Sequence, residues 1–421
     1  MKLLHILSVI IVVAWVTSCS HSANDKSDHD KLYNSLSYLA SDSLEGRGTG
    51  SNGERLAGDY IIAEFEKLGL EPKGDSGQWR QYFSYRPHGS ITRHGEGDSA
   101  KLAMSTVKEI KSNNIVGYLD NHQSHTVVIG AHYDHLGWGD ENSLFTDGTA
   151  IHNGADDNAS GVSALLLLAE KLKGKYTNNN YLFIAFSGEE KGLWGSNYFC
   201  DNPTIDLDSV TYMLNMDMVG RLNSEHTLAV YGTGTSPYWN EILPTIDVDS
   251  IKITTTESGV GPSDHTSFYL EDIPVLHFFT GQHEDYHKPS DDVDKINFDG
   301  IESIIRYMEQ VISLCDNQGM LEFTKTKEED KDSTPAFKVT LGIMPDYLYS
   351  GEGMRIDGVT DGRTASKAGL LKGDIVLKMD TLVVEGMNSY MIGLGLFESG
   401  DTTQMVVRRN DEEIIIPVIW D

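Results

Sequence analysis

Three stretches decide the fold of this chain: VVIGAHYD (127–134), GADDNASGVSALLLLAEKL (154–172) and YLFIAFSGEE (181–190). The first and third begin with continuous apolar runs of strand length, and the second ends in a run of helical length. Strands without polar alternation are buried on both faces, which is typical of parallel sheets covered by helices. Similar runs recur downstream: TYMLNMD (211–217), TLAVY (227–231), PVLHFF (274–279) and a helical run near 298–314. The pattern predicts an α/β fold with a mainly parallel central sheet flanked by helices.

Helices are also predicted upstream of these strands. Apolar residues at helical spacing form one stripe within 54–68, and Gly69 follows where a C-cap glycine is expected. Residues 31–40 carry a shorter stripe of the same kind. Residues 86–112 are polar and contain glycine, which indicates a surface excursion.

The composition limits the class of protein. The chain has 421 residues, which fits two or three domains of ~150 residues each. Its formal net charge of −30 excludes a nucleic-acid-binding surface along the whole chain, because such a surface needs a basic footprint. Three cysteines, Cys19, Cys200 and Cys315, exclude a disulfide scaffold and a cysteine-rich zinc module. The last two could pair in an oxidising compartment or remain free and buried.

Residues 1–19 have the features of an export signal. Lys2 is followed by an apolar run, 6–16, which is shorter than the ~20 residues of a membrane-spanning helix. The run ends in VTSC, which resembles the cleavage box of bacterial lipoproteins. That resemblance implies lipidation of Cys19 and a lipid-anchored location in the bacterial cell envelope; a plain secretory signal cut near Cys19 is the alternative. Residues 20–30 are polar and aperiodic and are predicted to be a flexible tether.

A linker separates two predicted domains. Residues 316–335 include the charged, poorly apolar run TKTKEEDKDST (324–334), which is typical of a linker. The α/β domain is therefore assigned to 31–315. Residues 336–421 alternate strand-like runs with Gly and Asp turns, which predicts a small β-rich domain.

Metal-binding residue types lie where the predicted strands end or the next helix begins. In open α/β sheets, ligands bind at the carboxyl ends of the strands. Histidine and carboxylate sets without cysteine favour catalytic zinc over structural zinc. Taken singly, each residue is as well explained by a cap, a loop or the core. Five of them, from five separate segments, together predict a metal site: His132, Asp157, Glu190, Asp217 and His287.

Two acidic residues near these ligands are predicted to assist them. Asp134 is two residues from His132 in an extended stretch, so its carboxylate can accept the ring N–H that is not used for metal binding. Glu189 and Glu190 are adjacent at the end of a buried strand, where two carboxylates repel each other unless a cation neutralises them. One of the pair can bind metal while the other stays free as a proton carrier.

Six motifs of the α/β region occur together in this chain: LASDSLEGRGTGS (39–51), HYD (132–134), GADDNASG (154–161), SGEE (187–190), NMDMVG (215–220) and YHKPSDD (286–292). Jointly they resemble the motifs of the di-zinc exopeptidases. This family includes bacterial leucyl-type aminopeptidases, glutamate carboxypeptidases and glutaminyl cyclases. The resemblance covers roughly 31–315, and it implies the phosphorylase/hydrolase-like α/β fold of zinc peptidases with two Zn²⁺ per chain. The implied metal ligands are His132, Glu190, Asp217 and His287, divided between the two ions, with Asp157 as the bridge.

The resemblance also implies roles for residues that do not bind metal. Glu189 matches the general base and acid, and Asp134 matches the acid that orients the first histidine. The peptide bond after Asp157 is implied to be cis. Asp264, in SGVGPSDH, and Tyr286 are implied to line the pocket or to support the ligands; a purely structural loop is an equal alternative for the first of them.

A charge count supports hydrolysis by an activated water. Two Zn²⁺ and three carboxylate ligands leave a small net positive charge, so a water between the metals loses its proton near neutral pH. The predicted reaction is hydrolysis of a terminal peptide bond without a covalent enzyme intermediate.

The region 336–421 resembles a PDZ domain of the kind found in bacterial periplasmic proteases. The resemblance rests mainly on the stretch from Ala365 to Ile375 and on a last strand, EEIIIPVIW. It implies that Leu341, Gly342 and Ile343 form a loop that captures peptide C-termini through backbone N–H groups. A packing or dimerising domain that binds no peptide is the alternative.

The sequence therefore predicts a lipid-anchored zinc aminopeptidase that acts on peptides. A glutaminyl cyclase or a carboxypeptidase of the same family is the enzymatic alternative. An inactive envelope scaffold that binds peptides through the PDZ-like domain is the alternative from a different class, and it would predict lost metal ligands.

Overall fold

The computed structural model describes residues 20–85, 91–94, 101–104, 109–139, 142–145, 147–326, 339–346, 349, 351–359 and 362–420. The predicted signal peptide, with Cys19, lies outside these residues. So do most of the charged run within the predicted linker and part of the predicted surface excursion.

The strands of the α/β domain form one large sheet and one small one. In chain order they are β1 (Glu71–Pro72), β2 (Arg80–Tyr85), β3 (Ile91–His94), β4 (Lys101–Met104), β5 (Ile110–Leu119), β6 (Thr126–His132), β7 (Asn180–Phe186), β8 (Val210–Met216), β9 (Thr227–Tyr231), β10 (Lys252–Thr256) and β11 (Val275–Phe279). The large sheet has the order β1-β5-β7-β6-β8-β11-β9-β10, with β2 beside β5, and β3 pairs with β4 separately.

The middle of the large sheet is parallel, as predicted. β6 pairs in parallel with β7 and with β8, and β8 pairs in parallel with β11. Every residue of these four strands is buried, which explains why their sequences are continuously apolar rather than alternating. The flanking strands β5 and β9 run antiparallel to their neighbours β7 and β11. The prediction of a mainly parallel centre is therefore confirmed.

Helices cover both faces of the sheet. The helices of this domain are α1 (Ser20–Leu39), α2 (Asn52–Leu68), α3 (Gly161–Leu172), α4 (Trp194–Asp201), α5 (Pro237–Ile242), α6 (His265–Tyr269) and α7 (Phe298–Cys315). α1, α2, α3 and α7 share one apolar cluster with one face of the central strands. Phe199 of α4 and Phe268 of α6 pack in the cluster on the other face. α2 begins at its Ser51 cap and ends at Gly69 in the left-handed conformation, as its sequence predicts.

The structure corrects the predicted tether. Residues 20–30 continue into the same helix as the buried stripe of 31–39, rather than forming an irregular segment. The end of the predicted tether also packs on the α/β domain. Asp28 forms an ion pair with Lys171 at 2.5 Å, and the His29 ring lies 5.3 Å from that of Phe298. Within the described residues, no helix has both the length and the apolar character needed to cross a membrane.

The first half of the predicted linker also packs on the α/β domain. Leu321 is buried, and the Thr324 N–H donates to the carbonyl of Thr235 at 2.8 Å. Cys200 and Cys315 are both free and buried, so the structure has them as separate thiols.

The C-terminal region has a sheet and a core of its own. Its elements are β12 (Ile343–Pro345), β13 (Met354–Val359), α8 (Thr364–Ala368), β14 (Ile375–Met379), β15 (Leu382–Val383), α9 (Met387–Gly395), β16 (Thr402–Arg409) and β17 (Glu412–Ile419). The strands have the order β12-β13-β14-β16-β17, with β15 beside β14, and their pairings are antiparallel. A separate apolar cluster that includes Trp420 and Val376 forms the core of this region. This region is β-rich, as the sequence predicts.

Candidate metal centre

The parallel strands bring the five predicted metal ligands to one edge of the sheet. His132 is the last residue of β6, and Asp217 follows β8 directly. Glu190 lies in the loop after β7, and His287 lies in the loop after β11. Asp157 lies in the helical turn Ala155–Ser160, immediately before α3. Because parallel strands end at the same edge, residues far apart in sequence meet there.

Asp157 lies between two groups of side chains. One of its oxygens, Oδ1, is 3.3 Å from His132 Nε2, and the other, Oδ2, is 3.4 Å from His287 Nε2. His132 Nε2 is also 3.2 Å from Asp217 Oδ1, and His287 Nε2 is 3.2 Å from Glu190 Oε2. Asp157 therefore faces both histidines, each of which has a second carboxylate beside it.

These distances fit pairs of atoms that bind the same zinc ion. Two ligand atoms at ~2.0–2.1 Å from a tetrahedral zinc lie about 3.3 Å apart. The four pairs measured above span 3.2–3.4 Å. Hydrogen bonds between nitrogen and oxygen span about 2.7–3.2 Å, most often about 2.9 Å, so the four pairs lie at or beyond the long end of that range. The donor set of two histidines and three carboxylates suits zinc, so the residues present fit a pair of zinc ions that share Asp157.

Both histidines present the same ring nitrogen to the site. His132 Nδ1 lies 3.2 Å from the main-chain carbonyl of Asp134, and His287 Nδ1 lies 2.9 Å from that of Asn142. A carbonyl only accepts, so each Nδ1 carries a proton, and in the neutral form of the ring each Nε2 has a free lone pair for a metal.

Asp134 lies beside His132, but its carboxylate is not the nearest acceptor for the ring. Its Oδ1 is 3.7 Å from His132 Nδ1 and accepts the Glu189 N–H at 3.2 Å. Its Oδ2 accepts from Thr49 Oγ1 at 2.7 Å. The contacts place the Asp134 side chain between the first histidine and the loop that carries Glu189.

A histidine that sequence reasoning missed completes the cluster. His135 is fully buried, and its Nδ1 is 2.7 Å from Glu190 Oε1 and 3.8 Å from Asp157 Oδ2. The alternation of an extended strand places His132 and Asp134 on one side and His135 on the other. The chain turns at that point, because the His135 N–H donates to the carbonyl of Arg47. A fourth titratable residue directly after HYD was the only signal in the sequence.

The turn that carries Asp157 depends on a buried arginine. Arg47 is 1% exposed and donates to the carbonyls of Tyr133 at 2.9 Å, Asn153 at 2.7 Å and Gly154 at 3.0 Å. It therefore links the segment after β6 to the segment before α3. The Asp157–Asn158 peptide bond is cis, as the family resemblance implies.

The carboxylates and histidines of the cluster shift one another's pKa values. Burial by itself raises the pKa of Asp157, but the positive charges and hydrogen bonds of His135, His132 and His287 outweigh it and hold that pKa well below its usual value. Burial likewise opposes the charge of Glu190, yet the nearby His287 lowers the pKa of Glu190 to about 2. A cation bound there would supply the positive charge that offsets these carboxylates, and the imidazoles would bind it in their neutral form.

Glu189 differs from the other carboxylates of the cluster. Burial raises its pKa well above the usual value, and the nearby charges of Asp217 and Glu190 add to the effect. Glu189 lines the same cavity as four of the predicted ligands, so it is placed to exchange a proton with a group bound there.

The cavity beside the cluster has mixed walls. Four acidic residues line it, Asp157, Glu189, Glu190 and Asp217, together with Met218, Tyr231, Pro262, His277, Phe279, Gln282, Tyr286 and His287. Tyr286 stacks on His287, with ring centroids 3.8 Å apart. Asp264 is fully buried, and burial raises its pKa to about 7.

A parallel sheet whose carboxyl edge holds two histidines and three carboxylates, one of them central, is the arrangement expected of a two-metal hydrolase. Comparison with known proteins agrees with this class. Residues 114–312, which contain all five predicted ligands and Glu189, match the sequence model of Peptidase family M28.

Relatives that are named as aminopeptidases match this chain over part of their length. Aminopeptidase YwaD of Bacillus subtilis is 31% identical over 184 residues, which cover 41% of this chain and 37% of that protein. A probable leucine aminopeptidase of Arthroderma benhamiae is 27% identical over 264 residues, 58% of this chain and 69% of that protein. The chain spans between 37% and 56% of the length of the first curated relatives that it matches.

Solved structures share the fold. An aminopeptidase from Aneurinibacillus sp. strain AM-1 aligns with a TM-score of 0.54 at 18% identity, covering 74% of this chain and 98% of that one. BSAP, a zinc aminopeptidase from Bacillus subtilis, aligns with a TM-score of 0.52 at 19% identity, covering 71% of this chain and 96% of that one. At these identities the likeness concerns the fold alone.

Proposed function

We propose that this chain is a zinc-dependent exopeptidase, an aminopeptidase that removes N-terminal residues from peptides. The observation that carries the proposal is the spacing of 3.2–3.4 Å around Asp157, with Glu189 beside it. The family match and the relatives named as aminopeptidases support the same activity.

The proposed site holds two zinc ions. His132 and Asp217 would hold one ion, Glu190 and His287 would hold the other, and Asp157 would be shared between them. Zinc bound there supplies a Lewis acid for the scissile carbonyl and lowers the pKa of water.

The chain's own residues supply the proton transfer. Glu189 lies in the cavity wall next to the cluster and is not needed as a ligand, so it can take a proton from water and return it to the leaving amine. Its raised pKa suits the proton-holding half of that cycle. Asp134 accepts the Glu189 N–H and so fixes the start of this short acidic segment.

The experiment is metal analysis combined with assays on three substrate types. Purified protein is tested on aminoacyl-p-nitroanilides, on peptides that report C-terminal release, and on peptides with N-terminal glutamine. We expect about two zinc ions per chain and turnover of the aminoacyl substrates. Release of C-terminal residues would instead indicate a carboxypeptidase. Cyclisation of N-terminal glutamine without hydrolysis would indicate a glutaminyl cyclase.

Glu189→Ala separates chemistry from metal binding. We expect the variant to keep both metals and to lose roughly 10²–10⁴-fold in turnover, the usual contribution of a positioned acid–base group. Exposed Glu225→Ala is the control and is expected to behave as the wild type. Full activity in Glu189→Ala would remove this residue from the mechanism, and a protein without bound metal or turnover would favour the scaffold alternative.

We also propose that residues 336–421 are a PDZ-like domain that binds peptide C-termini. β12 is an edge strand of its sheet, and Gly342 just before it has a φ of 71°. An edge strand offers unpaired backbone groups to an added peptide strand. Binding of a peptide with a free C-terminus but not of its amidated form would support this role, and equal binding of both would contradict it.

The location of the protein is a proposal from the sequence alone. Lipidation at Cys19 would hold the enzyme at the bacterial cell envelope.

A further inference from the structure

His135 has a position that the proposed catalytic roles do not use. It is fully buried between the turn that carries Asp157 and the side chain of Glu190. Its Nδ1 lies 2.7 Å from Glu190 Oε1, while the other oxygen of the same carboxylate, Oε2, lies 3.2 Å from His287 Nε2. The two histidines therefore contact opposite oxygens of one carboxylate.

The distance from His135 to Glu190 is that of a hydrogen bond. It is shorter than the 3.2–3.4 Å that separates the four pairs of proposed ligand atoms. An ionised carboxylate accepts only, so His135 Nδ1 must carry the proton and cannot bind a metal in that state. The other ring nitrogen, Nε2, is buried and has no hydrogen-bond partner within the described part of the chain. The ring thus makes one directed polar contact, and that contact is with Glu190.

Main chain packs closely against the ring of His135. Its Cγ and Cδ2 pack against Gly154, where an added Cβ would come within 2.7 and 2.5 Å of them. The His135 N–H donates to the carbonyl of Arg47, and the Arg47 guanidinium in turn donates to the carbonyl of Gly154. Main chain on two sides therefore fixes the imidazole relative to the turn that presents Asp157.

We propose that His135 is a positioning residue for the second metal site, the one formed by Asp157, Glu190 and His287. By holding Glu190 Oε1, it directs Oε2 toward the metal position and sets the separation between Glu190 and Asp157. Partners behind a ligand that fix its orientation typically change metal affinity 10–100-fold when removed. This inference rests on the proposed two-metal function, but it concerns one of the two sites only.

The test is zinc titration of the metal-free full-length protein against a chromogenic chelator, with no substrate present. Three forms are compared: wild type, His135→Leu and His135→Asn. Leucine fills the space but cannot donate. Asparagine is smaller, yet its amide nitrogen occupies the place of Nδ1 and can donate to Glu190. His122→Gln, at an exposed histidine, is the control for losing an imidazole.

We expect two binding steps in the wild type and the control. In His135→Leu one step weakens about 10–100-fold while the other stays within about threefold. His135→Asn restores most of the lost affinity. A role in packing alone predicts the reverse order, because leucine fills the cavity and asparagine leaves a void.

Several results would overturn the proposal. Equal weakening of both steps, no weakening in His135→Leu, or a larger loss in His135→Asn than in His135→Leu would each contradict it. If the variants fail to fold, far-ultraviolet circular dichroism shows it, and His135→Gln, which places its amide at Nε2 rather than Nδ1, is titrated instead and should also lose the one step. Two intact steps together with an absence of peptidase activity would reject the proposed function while leaving this inference standing.

Discussion

The two halves of the proposed metal site are held in different ways. His132 and Asp217 form a strand-held half: His132 is paired with Phe186 inside the sheet, and the Asp217 N–H donates to the carbonyl of Phe278 on β11. Glu190 and His287 form a loop-held half. Their contacts come from side chains and from another loop, since Asn142 Nδ2 donates to the Glu190 carbonyl and the Asn142 carbonyl accepts from His287.

This difference determines which ligands are ordered by the sheet itself and which need further contacts. A sheet ladder fixes its last residue at no added cost, whereas a loop ligand must be ordered by contacts made for that purpose. His287 also has a φ of 54°, in the left-handed region that a non-glycine residue adopts only when its surroundings hold it. The strand-held half is therefore preformed by the fold, and the loop-held half depends on Asn142 and His135.

Asp157→Asn has the largest expected effect, because this residue joins the halves. Asparagine is neutral and has one oxygen, so it cannot face both histidines as a carboxylate does. We expect loss of both tightly bound metals and a fall in turnover on the order of 10³-fold. Metal content after dialysis and turnover of an aminoacyl substrate measure the two effects.

The neighbouring Asp156→Asn is the matched control. Asp156 Oδ1 accepts the Gly220 N–H at 2.6 Å and its Oδ2 contacts His283 at 3.0 Å, so it supports the turn and does not face the cluster. We expect it to keep both metals. Metal loss in Asp156→Asn with retention in Asp157→Asn would reverse the assignment of the shared carboxylate.

Asp217→Asn and His287→Gln test the two halves separately, with a smaller effect. His287→Gln should retain one ion with the affinity of the tighter wild-type site, since the strand-held half is intact. Asp217→Asn should also retain one ion, held by the loop ligands. We expect this ion to bind at least about tenfold more weakly than the ion retained by His287→Gln, because loop ligands must be ordered on binding. Competition with a chelator gives both affinities. Equal affinities in the two variants would show that strand and loop hold their ligands equally well.

The sequence predicts the strand-held half better than the loop-held half. Continuous apolar runs mark β6, β7 and β8, and the rule that parallel strands share a carboxyl edge then places His132 and Asp217 together. The contacts of Asn142, Arg47 and His135 could not be predicted, because they join loops whose paths are set by packing rather than by periodicity.

The same limit explains the errors at the domain ends. The polar composition of 20–30 predicts a tether, but this segment continues a helix whose buried stripe begins at Leu32. For Asp134, alternation predicted its proximity to His132 correctly. It could not show that the main-chain carbonyl lies nearer to the ring than the carboxylate does.

Glu54→Gln tests the buried contacts beneath the loop-held half, and we expect it to change activity and stability less than the variants above. Glu54 is 2% exposed and accepts from Ser112 Oγ and from the Gly50 N–H, both at 2.7 Å, and from Ser187 Oγ, which begins the loop to Glu190. Burial raises the pKa of Glu54 from 4.5 to about 8. The stabilisation linked to its protonated form is complete below about pH 4.5 and is lost as the pH rises through about 8.

Glutamine stays neutral at every pH, so it should remove this loss. We expect the difference in the free energy of unfolding between Glu54→Gln and the wild type to shift in favour of the variant by about 1–2 kcal/mol from pH 6.5 to pH 9. Urea unfolding at saturating zinc measures it, with exposed Glu66→Gln on the same helix as control. Parallel pH curves for all three proteins would mean that Glu54 is ionised in the folded state. Its three donors would then hold a buried charge beneath the loop that carries Glu189 and Glu190.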